Sequence, residues 1–256
     1  MSETVVIAFA NQKGGVGKTT SAVNVAAAIG KLGHSVLLCD LDPQGNATSG
    51  VGINKKSVRL SSYEALLGQC TPEQAIIDTK WDNLSIIPSN INLAGAEIDL
   101  IDIEGRERCM ERVIKGITRH FDYIIIDCPP SLGMLTVNAL TCCNGVVIPM
   151  QCEYYALEGL AQLMITIKKI KQIYNKSLYV MGILITMYNG RLNLTGQVMN
   201  ELKKYYSDKL FRTAIARNVK VSEAPSFGEP LIYYDKYSKG SLDYMDVAKE
   251  LIERIN

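Results

Sequence analysis

Apolar positions along the chain fall into short runs separated by longer amphipathic stretches. Val5 to Asn11 is β-branched and apolar, ends on polar residues and leads straight into a glycine-rich turn, the pattern of a strand buried on both faces. Ser35 to Asp40, Leu84 to Ile87, Tyr123 to Asp127, Val146 to Met150 and Leu178 to Thr186 carry the same signature. Between them the spacing predicts helices over Thr19 to Leu32, Arg106 to His120, Ala156 to Tyr174 and Asn193 to Tyr206. The first starts near Gly17 and closes at Gly33, since glycine takes a positive φ after a helix end without steric cost. Strands alternating with helices predict an α/β fold, a mostly parallel twisted sheet with helices on both faces. No low-complexity stretch or repeat interrupts this alternation, so residues 1–256 read as one domain. In such sheets ligands bind beyond the carboxyl ends of the strands, where Asn11, Asp40 and Asp127 fall.

The turn after the first strand reads Lys13-Gly14-Gly15-Val16-Gly17-Lys18-Thr19-Thr20. Gly14, Gly15 and Gly17 lack Cβ atoms, so backbone N–H groups there can close around phosphate oxygens while the following helix N-terminus adds positive potential. Lys18 is placed to reach the β- and γ-phosphates and Thr19 to ligate magnesium, which makes the segment a P-loop for ATP and Mg2+. It is a variant form, because Gln12 stands where the common pattern has its first glycine. Ile124-Ile125-Ile126-Asp127 is an apolar strand ending in one carboxylate, the form of a Walker B element serving the metal. Asp40 and Asp42 end the neighbouring strand on the same side of the pleat, one to assist magnesium and the other to orient an attacking water.

A net charge of +1 excludes little until its distribution is read. Between Leu163 and Lys220 eleven lysines and arginines stand against Glu201 and Asp208, which suits a polyanion such as DNA as well as a solvated helical face. Seven cysteines form no CxxC pair, and two histidines are too few to complete a familiar zinc site, so the cysteines read as reduced core residues. Met1-Ser2-Glu3-Thr4 lacks a basic flank and no long apolar stretch follows, so a cytoplasmic protein is expected. Near the C-terminus, Leu242, Met245, Ala248, Leu251, Ile252 and Ile255 make an apolar helical face, with Asp243, Asp246, Glu250 and Glu253 outnumbering Lys249 and Arg254 on the remainder. A membrane-surface helix is basic there, so this one is expected to pack on the core.

Lys13 ahead of the glycines, together with Asp40-Leu41-Asp42-Pro43-Gln44-Gly45-Asn46 and Asp127-Cys128-Pro129-Pro130-Ser131, resembles the ParA/Soj family of chromosome- and plasmid-partitioning ATPases. The likeness continues through Leu93-Ala94-Gly95-Ala96-Glu97, the segment Gln151 to Leu160 and the segment Arg217 to Ser226, and covers essentially the whole chain without an added N-terminal DNA-reading domain. The resemblance implies an ATP-dependent sandwich homodimer in which Lys13 reaches the nucleotide of the other subunit, supplying charge in trans as arginine fingers do. It also implies that Asp42 positions the attacking water and that Asp40 and Asp127 serve magnesium from behind its water shell. Asn218 is implied as the adenine contact, although the family's Pro-Arg-Asn reads Ala216-Arg217-Asn218 here. Arg191 and Lys220 match basic residues that hold DNA without sequence preference, which implies nucleoid association, and the implied regulator is a ParB-type centromere-binding protein.

Two other nucleotide-dependent classes share such a loop. A MinD-like ATPase works on membranes through a C-terminal amphipathic helix, and a nitrogenase-type reductase carries an iron–sulfur cluster, for which only Cys128 and the Cys142-Cys143 pair are at hand. A binding protein or repressor without hydrolysis is a third reading, opposed by the intact Lys18, Thr19, Asp42 and Asp127.

Overall fold

Seven strands join in one sheet. In the computed structural model, which describes residues 3–255, β1 (Val5–Phe9), β2 (Val36–Asp40), β3 (Ile77–Asp78), β4 (Leu84–Ile87), β5 (Tyr123–Asp127), β6 (Gly145–Met150) and β7 (Tyr179–Ile185) lie in the order β3-β4-β2-β5-β1-β6-β7. All neighbours are parallel except β3, which pairs antiparallel with β4. Met1 and Ser2, the start of the N-terminal segment read above, and Asn256 lie outside the described residues.

Alternation along each strand divides the core in two. Val6 and Ala8 of β1, Leu37 and Cys39 of β2, and Ile124 and Ile126 of β5 face one side. They are covered by helices Cys109–Lys115, Met134–Cys142, Ala156–Ile173 and Asn193–Tyr206. Ile7 and Phe9, Val36 and Leu38, and Tyr123 and Ile125 face the other, against helix Lys18–Lys31 and the C-terminal helix Lys239–Ile255. Side chains of period two buried on both faces explain why the strands read as continuous apolar runs. The cysteines are all free, and Cys39, Cys109, Cys128 and Cys143 are buried as small apolar residues.

Some predicted boundaries shift for physical reasons. β1 ends at Phe9, and beyond it the Asn11 side chain binds the Pro149 carbonyl and the Lys13 amide. The helix expected over Arg106 to His120 is a 3-10 turn at Arg106–Arg108 followed by Cys109–Lys115, closed by Gly116, after which the Arg119 amide donates to Glu73 Oε1 at 2.9 Å. Helix Met134–Cys142 was not predicted; Leu135, Thr136, Asn138, Ala139, Leu140 and Thr141 are all buried, so no polar stripe marks its period.

The C-terminal helix packs on the core as expected, with Met245, Ile252 and Ile255 of the predicted apolar face lying against it and the buried side extended to Tyr244 and Val247. Tyr244, Val247, Ala248 and Leu251 are buried beside helix Lys18–Lys31, whereas Leu242 is exposed. Asp243 and Glu250, expected outside, are buried: Asp243 pairs with Lys239, and Glu250 pairs with Arg254 and Arg212. Helix Lys18–Lys31 is itself clamped at its far end, where Asn83 Nδ2 donates to the Gly30 carbonyl at 3.0 Å. A Cβ at Gly30 would collide with the Asp82 carbonyl oxygen, which is backbone and cannot rotate away. Gly30→Ala is therefore expected to destabilise the protein by about 1–3 kcal/mol despite alanine's better helix propensity, read as a lower urea midpoint.

Candidate functional site

The loop between β1 and helix Lys18–Lys31 is tied down from three sides. Asn11 Nδ2 donates to the Pro149 carbonyl at 2.8 Å, and Asn11 Oδ1 accepts the Lys13 amide at 3.0 Å. Gln151 Nε2 donates to the Gly15 carbonyl at 2.7 Å, and the Thr186 hydroxyl to the Val16 carbonyl at 2.8 Å. Gly15 and Gly17 sit at φ of 73° and 80°, left-handed conformations that cost a side-chain-bearing residue about 1–2 kcal/mol. Gly17 is the residue before the helix and provides no side-chain cap, which leaves the first-turn N–H groups free for an anion.

Lys18 is buried, with Nζ donating to the Lys13 carbonyl at 3.0 Å. Burial lowers its pKa, and the nearby Asp127, Cys128 and Asp42 oppose that lowering. Lys18 shares with Gly14, Gly17, Thr19, Thr20, Asp42 and Pro130 a cleft of about 330 Å³. The side chain of Lys13 turns away from it and pairs with Glu153, which opens the segment before helix Ala156–Ile173.

Asp40 and Asp127 are register partners at the ends of adjacent strands, both fully buried. Asp40 is saturated by its own loop: Oδ2 accepts the Thr48 amide at 2.8 Å and hydroxyl at 2.7 Å, and Oδ1 accepts the Asp42 amide at 3.1 Å. Burial pushes its carboxyl up to about 6, against those hydrogen bonds. Asp42 lies beyond the end of β2, so the pleat does not set its direction; the turn closed by Gly45 N donating to Asp42 O at 2.9 Å does. Asp127 is the odd member, since neither oxygen is within hydrogen-bonding geometry of a donor. Burial raises its carboxyl well above the ordinary range, Asp40 adds to this, and the nearby Thr19 hydroxyl and Lys18 oppose it. A buried carboxylate without partners next to a threonine hydroxyl and a lysine fits a hydrated divalent cation, which would supply the missing positive charge.

A second cleft, also about 330 Å³, continues from Gly17 and Thr20 to Ala216, Arg217 and Asn218. Asn218 Oδ1 accepts the Lys220 amide at 2.9 Å and caps the short helix Val219–Glu223. Met187 borders both clefts with φ at 50°, a left-handed backbone rare for its residue type. No local sequence signal marks it, since methionine is not a residue type that favours positive φ. Glu153 was within a recognisable segment, but its pairing with Lys13 spans 140 residues.

The loops that lead to Arg191 and Lys220 are joined at Tyr188 and Arg217, short of both residues. The Tyr188 amide donates to the Ile215 carbonyl at 2.8 Å and the Arg217 amide to the Tyr188 carbonyl at 3.3 Å, so their two loops run side by side. Both residues are exposed. Part of the basic excess is spent internally: Arg212 pairs with Glu250 and Glu253, Lys209 with Asp208, and Lys220 with Glu223 at 3.0 Å.

Comparison with known proteins decides the family. Residues 4–180 match the AAA domain family model. The chain is 51% identical over 246 residues to the sporulation initiation inhibitor protein Soj of Bacillus subtilis, covering 96% of this chain and 97% of that protein. It belongs to the ParA/Soj family of chromosome-partitioning ATPases. Another relative of this ParA/Soj chain, the chromosome partitioning protein ParA of Myxococcus xanthus, is 45% identical, covering 97% of this chain and 88% of that protein. Among solved structures, cobyrinic acid a,c-diamide synthase from Mycobacterium smegmatis with bound ADP and magnesium superposes with a TM-score of 0.86 at 37% identity, covering 99% and 96% of the two chains. A plasmid partition protein from Borrelia burgdorferi gives 0.80 at 27% identity, covering 99% and 100%. Among the described residues of the ParA/Soj chain no helix is long and apolar enough to cross a membrane, and no three histidine, cysteine or acidic side chains group as a metal site.

Proposed function

We propose that this ParA/Soj protein is an ATP-hydrolysing DNA-partitioning switch. The observation that carries the reading is a cleft lined by the uncapped helix start at Gly17 and the buried Lys18, with the unpartnered Asp127 buried close to Lys18 and Thr19. The loop amides and Lys18 would hold the phosphates of ATP, Thr19 with Asp127 behind it would hold magnesium, and the base would enter the cleft at Asn218. Magnesium, when bound, neutralises charge on the phosphates. Asp42 accepts a hydrogen bond from the attacking water and aligns it. Asp40 acts one step back, because its oxygens are spent on the turn that aims Asp42.

Lys13 lies on the outer rim and is held by Glu153 in its own chain. In the proposed cycle a second ATP-bound copy closes over this rim, Lys13 leaves Glu153 and the homodimer forms. The dimer then holds double-stranded DNA through Arg191 and Lys220, and a ParB-type partner triggers hydrolysis and release. The MinD-like alternative, supported by fold likeness to the Pyrococcus horikoshii septum site-determining protein MinD at TM-score 0.79 and 25% identity, is weakened by burial of the C-terminal helix's apolar side.

Anisotropy of a labelled random-sequence duplex tests the reading. With Asp42→Ala and ATP, binding is expected to be tight and to fall steeply between about 50 and 200 mM salt, with ADP giving none. Arg191→Glu is expected to weaken it by about tenfold or more, since a phosphate contact is lost and a repulsion added. Binding independent of nucleotide would refute the switch.

A further inference from the structure

We infer that the base of the bound nucleotide sets the rate of hydrolysis through a contact between two positioning glycines, Gly228 beside the base cleft and Gly52 beside the turn that carries Asp42. The inference rests on the proposed placing of the base at Asn218 and of the attacking water at Asp42. Gly228 follows the 3-10 turn Ala224–Phe227, which continues the helix that Asn218 caps, and Val221 and Pro225 of these elements line the base cleft. Gly52 lies just beyond helix Asn46–Gly50.

The two segments meet backbone to backbone. A Cβ on Gly228 would stand 2.9 Å from Gly52 Cα, and one on Gly52 would stand 3.0 Å from the Gly228 carbonyl oxygen. Both glycines also sit at positive φ, 66° and 90°, so neither space nor backbone admits a side chain there. From this point three hydrogen bonds lead to Asp42. The Gly52 amide donates to the Ser49 carbonyl at 3.0 Å, the Ser49 hydroxyl to the Gly45 carbonyl at 2.8 Å, and the Gly45 amide to the Asp42 carbonyl at 2.9 Å. In the other direction the Gly228 amide donates to the Pro225 carbonyl at 3.1 Å, which returns to the base cleft. Close-packed backbone passes on a displacement because no side-chain rotamer is there to absorb it. A base seated against Val221 and Pro225 holds the 3-10 turn, Gly228 holds Gly52, and the Asp42 turn is fixed where it aligns the water. A triphosphate without a base binds the phosphate loop and leaves this chain of contacts slack.

The single tryptophan of the protein bridges the same junction. Trp81 Nε1 donates at 2.9 Å to the carbonyl of Val51, the neighbour of Gly52. Its ring lies 4.6 Å from that of Tyr233, in the helix Leu231–Tyr234 that closely follows Gly228. Trp81 lines neither the base cleft nor the phosphate cleft, so its emission reports the junction rather than direct contact with ligand.

The test compares ATP with ribose triphosphate, the sugar and phosphates of ATP without its base, both saturating, with magnesium and the full chain. In the wild type, kcat for ATP is expected to exceed that for ribose triphosphate at least about fivefold, the low end of coupling between two sites. ATP is expected to shift Trp81 emission and ribose triphosphate to leave it unchanged. Gly228→Ala puts a Cβ into the contact, and Gly228→Asn does the same with a residue that tolerates left-handed backbone. In both, the kcat ratio is expected to fall toward one and the ATP-specific emission shift to disappear. Gly68→Ala, at φ of 69° with nothing within 4 Å of its Cβ, carries the backbone cost alone and is expected to keep both signals. Folded Gly228 variants that keep the wild-type ratio overturn the inference. Trp81 emission that responds equally to the two ligands, or to neither, overturns the route through the junction. Wild-type protein that binds ATP no more tightly than ribose triphosphate refutes the base site at Asn218, on which the inference rests. Tighter binding of ATP with equal kcat spares that reading and refutes the inference alone.

Discussion

Asp42→Ala is expected to bind ATP with wild-type affinity and to release phosphate at least about 100-fold more slowly, the usual loss when a group that aligns or deprotonates the nucleophile is removed. The separation follows from the geometry. Asp42 borders the phosphate cleft without making any of the bonds that shape the loop, which come from Asn11, Gln151 and Thr186. Its side chain accepts only the Gln44 amide, at 2.9 Å, and Asp40 still holds the preceding turn after the substitution. Single-turnover phosphate release beside equilibrium binding of a fluorescent ATP analogue measures both quantities. Parallel loss of binding and turnover would mean that Asp42 belongs to the phosphate grip.

Asp127→Asn is expected to have the opposite signature, a more stable nucleotide-free protein that no longer gains from ATP and magnesium. Asp127 is a buried carboxylate with no hydrogen-bond partner, and the Asp40 carboxylate stands beside it. Removing such an uncompensated charge is worth about 1–3 kcal/mol in the apo protein. The wild type, by contrast, gains about 2.7 kcal/mol at a ligand concentration 100 times Kd, and the variant should lose most of that gain. Urea unfolding with and without ATP and magnesium distinguishes the two terms. An apo variant less stable than wild type would show that Asp127 has a structural partner.

The same pair sets a pH dependence whose sign is unusual for carboxylates. The folded protein raises Asp40 to about 6 and Asp127 in the same direction, so the native chain keeps protons that the unfolded chain has released. Apo stability therefore falls as pH rises from about 4 through about 6, by up to about 1.4 kcal/mol per pH unit from Asp40, and Asp127 contributes in the same direction. In Asp127→Asn one of the two groups no longer titrates, and the fall is expected to be shallower.

Much of this molecule was determined locally. The strands Leu84–Ile87 and Tyr123–Asp127 and the helix Asn193–Tyr206 stand where apolar periodicity places them, because their own side chains decide both the element and the buried face. The phosphate loop was legible for a related reason: Gly15 and Gly17 need positive φ, a requirement that selects residue type at the position itself. The family signature followed from contiguous residues. Other features had no local signature. Helix Met134–Cys142 is covered on all sides, and the isolation of Asp127 depends on what neighbouring strands do not offer it. The direction of Asp42 depends on the turn closed by Gly45 and braced by Asp40 rather than on strand pleat, and the left-handed Met187 borders two clefts. The hold of Glu153 on Lys13 and the contact of Gly52 with Gly228 join residues far apart in the chain. Sequence determines what each residue prefers within a turn or two of chain; burial, charge pairing and strain are set by neighbours that only the folded sheet brings within a few ångströms.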